Sequence, residues 1–196
     1  MELLKRVQQH FTTSIELKTQ ILNTITPAIV SAGEVIIASL KQQHKILICG
    51  NGGSAEQSQH FSSELINRFE TERRALPAIA LTADSSILTS IANDYAFENI
   101  FARQIEALGQ QGDILFIIST SGNSSNILKA IDVAHQKNMH IISLTGRDGG
   151  KIRSQLLTND REICVASNST ARIQEVHLLV IHCLCDLIDN YETFYL

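Results

Sequence analysis

Apolar residues recur at helical spacing between positions 3 and 22 (Leu4, Val7, Phe11, Ile15, Leu17 and Ile21), which predicts an amphipathic helix. Thr26-Pro27 then reads as an N-cap followed by proline at a first helical position, so a second helix is expected to about Gln43. The pattern changes at Ile46-Leu47-Ile48-Cys49, an unbroken apolar run that stops at Gly50-Asn51-Gly52-Gly53-Ser54. A buried strand emptying into a glycine loop has this form, and a helix over 55–69 opens directly from it. Further strands are predicted at 78–81, 114–119, 140–144 and 162–165, with helices at 85–92, 100–108 and 125–136.

Strands alternating with helices predict an α/β fold: a doubly wound parallel sheet of about five strands, flanked by helices. N-terminal helices and a long C-terminal helix complete it. With 196 residues the chain is expected to form one domain over 1–196. Residues 1–43 are then a helical segment packed on the core or on an oligomer interface. In the last helix, about 170–190, Ile173, Val176, Val180, Leu184 and Leu187 share one face. Leu178, Leu179, Ile181 and Cys183 lie outside that stripe, so the helix is expected to be covered on a second side by another subunit. His182 falls about 180° from Ile173 and is expected to face a partner's site rather than its own core.

Charge narrows the function classes. Sixteen basic and twenty acidic residues leave a net charge of −4 with no basic run, which argues against direct nucleic-acid binding. The N-terminus has no signal-peptide pattern, and no uninterrupted apolar run reaches the roughly 18 residues of a membrane span. A cytoplasmic protein without a membrane is expected, its four cysteines reduced.

One architectural unit occurs twice. A strand and small-residue loop at 46–54 is matched by a strand at 114–118 followed by Ser119-Thr120-Ser121-Gly122-Asn123-Ser124. In open parallel sheets ligands sit at the carboxyl ends of strands, where helix N-termini suit phosphate. The serine and threonine hydroxyls make the second loop the better cradle, although a plain βα turn with serine caps explains its composition as readily. Gly50-Asn51-Gly52-Gly53-Ser54-Ala55 fits the dinucleotide fingerprint only formally, because the acid after the next strand, Asp84, comes over thirty residues on. No P-loop is present. His60 and Glu64 stand i, i+4 on one helix face, a spacing that serves a metal, an acid–base pair or a surface contact. The last helix adds Gln174, His177 and His182. Gln174 and His182 are about 12 Å apart along a straight helix, too far to share one ion easily within one chain.

Six blocks, 49–54, 59–65, 91–95, 118–124, 144–150 and 171–177, together resemble the phosphoheptose isomerases of the sugar-isomerase (SIS) domain group, over essentially the whole chain. The resemblance implies a SIS-type fold, a homotetramer with shared sites, and a sugar-phosphate substrate. The implied reaction converts sedoheptulose 7-phosphate to D-glycero-D-manno-heptose 7-phosphate for lipopolysaccharide heptose synthesis. It further implies that Asn51, Gly52, Gly53, Asn93 and Asp94 line the substrate, joined by Glu64 and Gln174. Ser119, Thr120, Ser121 and Ser124 would hold the phosphate. His60, Glu64, Gln174 and His182 would be a zinc-linked set, one zinc per subunit, with Glu64 and His182 the acid–base pair. Segments 67–73, 76–81 and 183–190 are also similar to DiaA proteins, non-enzymatic tetramers that bind the replication initiator DnaA. Glu64 and His182 favour the enzyme.

Overall fold

The computed structural model describes residues 2–191. Five parallel strands form its sheet: β1 (Ile46–Gly50), β2 (Ala78–Ala80), β3 (Ile114–Ser119), β4 (His140–Gly146) and β5 (Arg161–Val165). Their order is β2-β1-β3-β4-β5. Ile46 pairs in register with both Ala78 and Ile114, and Ile114 with His140. The helices are α1 (Leu3–Lys41), α2 (Gly53–Ile66), α3 (Ser85–Asp94), α4 (Ala102–Leu108), α5 (Ser125–Gln136), α6 (Gly150–Gln155) and α7 (Thr170–Asp189), with a 3-10 turn at Phe97–Asn99 before α4.

The central strands are apolar throughout because both faces are covered. Ile46, Ile48, Ile114, Phe116 and Ile118 point into a core shared with α1, α2 and α7. Leu47, Cys49, Leu115 and Ile117 point the other way, towards α4, α5 and Ile152 of α6. From β1 the chain winds outwards to β2, and from β3 it winds the other way to β5. The carboxyl ends of β1 and β3 therefore flank the topological switch point, where open α/β sheets place ligands.

The two expected N-terminal helices are one. Pro27 lies inside α1, and the Thr26 hydroxyl donates back to the Leu22 carbonyl at 2.9 Å instead of capping a new helix. A proline inside a helix costs roughly 3 kcal/mol. Here the buried stripe Leu17, Ile21, Ile25, Ile29, Ala32, Ile36 and Leu40 runs straight past it, and burial on that scale offsets the loss. Fusion also makes α1 long and apolar enough, by length and composition, to cross a membrane. Its stripe instead packs on α7 and β5. Helix α6 went unforeseen; its six residues are too few to show a period.

Outside this stripe the N-terminal turns of α1 meet α7 through polar contacts, the Ser14 hydroxyl donating to Glu175 and Arg172 to the His10 carbonyl, both at 2.8 Å, but leave apolar side chains uncovered. Leu3, Leu4, Val7, Phe11 and Ile15 are all exposed, as are Leu178 and Leu179 of α7. The four cysteines are free thiols. Burial pushes the thiols of Cys49 and Cys185 far up, so they stay protonated among core side chains.

Candidate active site

At the end of β1 the chain turns through Gly52, whose φ of +56° lies in the left-handed region that favours glycine. A Cβ on Gly53 would stand 2.6 Å from the Gln174 Nε2, so the first turn of α2 lies against the first turns of α7. Asn51 exchanges amide hydrogen bonds with Asn126 of α5, at 2.9 and 2.8 Å. Asn126 is almost wholly buried.

The loop after β3 is small and polar, and its side chains partly satisfy its own turn. The Ser119 hydroxyl accepts from the Gly122 amide at 3.2 Å, and Ser121 from Asn123 at 3.3 Å. Thr120 and Ser124 spend their hydroxyls on no partner among the described residues, and the Ser124 side chain leaves the leading amides of α5 uncapped. Unspent donors at a helix start suit phosphate. Gly122, at φ +66°, lets the loop after β4 close against it: a Cβ there would run into the Gly149 carbonyl.

Two turns along α2 stands a second cluster. His60 Nε2 lies 3.0 Å from His182 Nε2 of α7 and 3.6 Å from Glu64 Oε1. The His60 and His182 rings meet edge to face at 5.2 Å, and Phe69 stacks on the other side of His182 at 5.5 Å. His182, expected to face a partner's site rather than its own core, is half-buried at the edge of the core and meets its own chain's α2. It sits on the outer face of α7, and α2 crosses there. It also lines a groove of about 450 Å³ with Thr26, Ile29, Phe69, Glu70 and Asp186.

Gln174 stays at the loop end of this arrangement. Its carbonyl accepts from Gln57 Nε2 at 2.8 Å, and its side chain lies by Gly53, about 10 Å along α2 from His60. Asn93 and Asp94, at the end of α3, are exposed and bond each other at 2.8 Å. No contact among the described residues brings them to the His60 cluster.

Two imidazole nitrogens and a carboxylate are a donor set zinc accepts, and separations of 3.0 and 3.6 Å suit ligand atoms each about 2 Å from one ion. His60 touches both other groups, yet no three His, Cys, Asp or Glu side chains among the described residues are closed into a metal centre.

Sequence reading missed three neighbours of these groups, Asn126, Phe69 and Arg73. Asn126 carries a plain helix-start pattern, and Phe69 a plain apolar one. Arg73 reads as a surface charge but is buried, its guanidinium donating to the Glu64 carbonyl at 2.8 Å and the Leu65 carbonyl at 2.9 Å. His177 is buried with one ring nitrogen on the Thr145 carbonyl at 2.9 Å, and its Nδ1 has no partner among the described residues. Burial outweighs that hydrogen bond and lowers its pKa to about 4.

Comparison with known proteins adds to this geometry. A family model described as SIS domain matches residues 9–146. The phosphoheptose isomerase of Chromohalobacter salexigens is 60% identical over 190 residues, 97% of this chain and 96% of that protein. Two solved phosphoheptose isomerases share 46% identity over 96% of this chain and 99% of theirs: that of Neisseria gonorrhoeae, with a TM-score of 0.91, and that of Francisella tularensis, with 0.94.

Proposed function

Because the chain belongs to the SIS-domain family, among its phosphoheptose isomerases, we propose that it interconverts sedoheptulose 7-phosphate and D-glycero-D-manno-heptose 7-phosphate. The observation that carries this reading is the meeting of His60, His182 and Glu64 on two helices, both of which begin near the sheet's switch point. One end of such a site suits a phosphate and the other suits proton transfer. A seven-carbon sugar phosphate has its phosphate and its reacting carbons at opposite ends.

The substrate phosphate is held by Ser119, Thr120, Ser121 and Ser124, with the amides opening α5. Asn51, Gly52 and Gly53 line the adjoining wall, with Gln174 beside them. Asn93 and Asp94 join a substrate through a neighbouring subunit or through movement of α3. At the far end Glu64 removes a C1 proton from the ketose, giving an enediol, and returns a proton to C2. His182 moves the matching proton between the two oxygens, so the isomerisation is proton-neutral. His60 lies edge to face against His182 and limits where that ring can turn.

Zinc, one per subunit, would be held by His60, Glu64 and His182, with Gln174 of a neighbouring subunit as the fourth donor. When bound it supplies Lewis-acid polarisation of the substrate oxygens. A carboxylate engaged by metal is a weaker base, so Glu64 serves one role at a time. The exposed faces of α1 and α7 support a homotetramer, and the role fits a cytoplasmic biosynthetic enzyme feeding lipopolysaccharide heptose. The high identity to isomerases, with Glu64 and His182 present, favours this over a DiaA-like partner of DnaA.

The test is incubation of purified protein with sedoheptulose 7-phosphate, with and without a chelator, following aldose formation. Turnover that falls with the chelator and returns with zinc is expected. No turnover after zinc supplementation sinks the enzyme reading, and retention of DnaA on immobilised protein then favours the other.

A further inference from the structure

Arg73 and Asp189 are both charged and both buried, at 3% and 1% exposure. Their ion pair, Nε to Oδ1 at 2.7 Å, joins the segment after α2 to the last residue of α7. Buried pairs contribute little net stability, because desolvation cancels most of the attraction. Asp189 also stands at a helix C-terminus, where the helix dipole disfavours a carboxylate. These two costs are offset only by the three donors converging on Asp189, and so elaborate an arrangement calls for a reason beyond stability.

The geometry supplies it. The same guanidinium donates to the Glu64 and Leu65 carbonyls, capping the end of α2. The other Asp189 oxygen accepts from the Glu70 and Thr71 amides at 3.0 and 2.9 Å, fixing the chain that carries Phe69. Asp189 lies seven residues past His182, on the same face of α7. We propose that Arg73, locked by Asp189, is a positioning residue for proton transfer: it fastens α2 to α7 just beyond the reacting groups and sets the approach of His60 and Glu64 to His182. The inference rests on the isomerase reading of Glu64 and His182.

Asp189→Asn removes the charge that holds Arg73. Arg73→Lys keeps a cation but loses the fork that reaches two carbonyls and a carboxylate together, and it serves as the second variant if the first does not fold. In the full chain, kcat per folded subunit is expected to fall roughly tenfold or more, as for groups that orient reacting side chains. KM, and the affinity for inorganic phosphate measured calorimetrically, should change by no more than about twofold, since the Ser119–Ser124 loop lies at the other end of α2. A crystal structure of the folded variant should show His182 drawn away from His60. A normal kcat with a lowered melting temperature overturns the proposal, because a merely structural bolt gives that result. Equal losses of kcat and phosphate affinity overturn it too. If the wild-type chain turns over no sugar phosphate, the isomerase reading has failed separately, and the His60–His182 spacing in the variant alone decides: unmoved, the positioning role is wrong.

Discussion

Asn51 and Asn126 exchange two amide hydrogen bonds, at 2.9 and 2.8 Å, and so tie the loop after β1 to the first turn of α5. The two loops at the switch point are thereby tied directly to each other. Asn126→Ala strands the half-buried Asn51 amide, which costs roughly 1–3 kcal/mol. The expected result is a rise in KM for the sugar phosphate of roughly tenfold, or about 1.4 kcal/mol, with a smaller change in kcat. Asn126→Asp adds a negative charge two residues past Ser124 and should raise KM further. Steady-state kinetics on both variants checks the order; an unchanged KM in Asn126→Asp refutes the coupling.

Glu64→Gln keeps shape and hydrogen bonding but cannot take a carbon-bound proton. Loss of a general base typically costs 10²–10⁴-fold in rate, so kcat should fall by about that factor with KM nearly unchanged. Exchange of the C1 proton with deuterated solvent, read by NMR, should vanish in parallel. Persisting exchange would assign the base elsewhere.

Acid should destabilise the fold in two steps. His177 has its pKa lowered to about 4 by burial, against 6.5 when free. Between these values the unfolded chain takes up a proton that the folded chain refuses, so stability falls as pH drops from 6.5 to 4, by roughly 3 kcal/mol in all. Asp189 acts lower. Burial raises its pKa, but the Thr71 amide, Arg73 and the Glu70 amide outweigh burial and hold it below its ordinary 3.8. Its contribution is present above that value and is lost as pH falls through the folded pKa. Urea unfolding at stepped pH should show the first loss disappear in His177→Gln.

The apolar side chains left uncovered on α1 and α7 make a testable interface. Phe11→Asp, at a side chain 70% exposed in one chain, should leave the fold intact yet lower the mass seen by light scattering. If the site needs a neighbour's Gln174, turnover should fall with it. A variant that stays assembled places the interface elsewhere.

Much of this was legible in the sequence because it depends on local pattern. Short, largely apolar segments located all five strands, and α5 was bounded at Ser125–Gln136 as expected. The glycine loop and the serine loop lie at the strand ends their positions implied. Other features depend on partners distant in the chain. Pro27 signals a helix start locally, but the stripe packing on α7 and β5 decides that α1 continues. The face of α7 bearing His182 looks outward on a helical wheel, and only the crossing of α2 brings His60 to it. Arg73 is an ordinary charge until folding buries it against Asp189, 116 residues away. Periodicity records which face of an element avoids water; it carries no record of which other element covers that face. The sequence by itself determined the sheet, its loops and the chemistry available. The tertiary structure alone decided which of those groups meet.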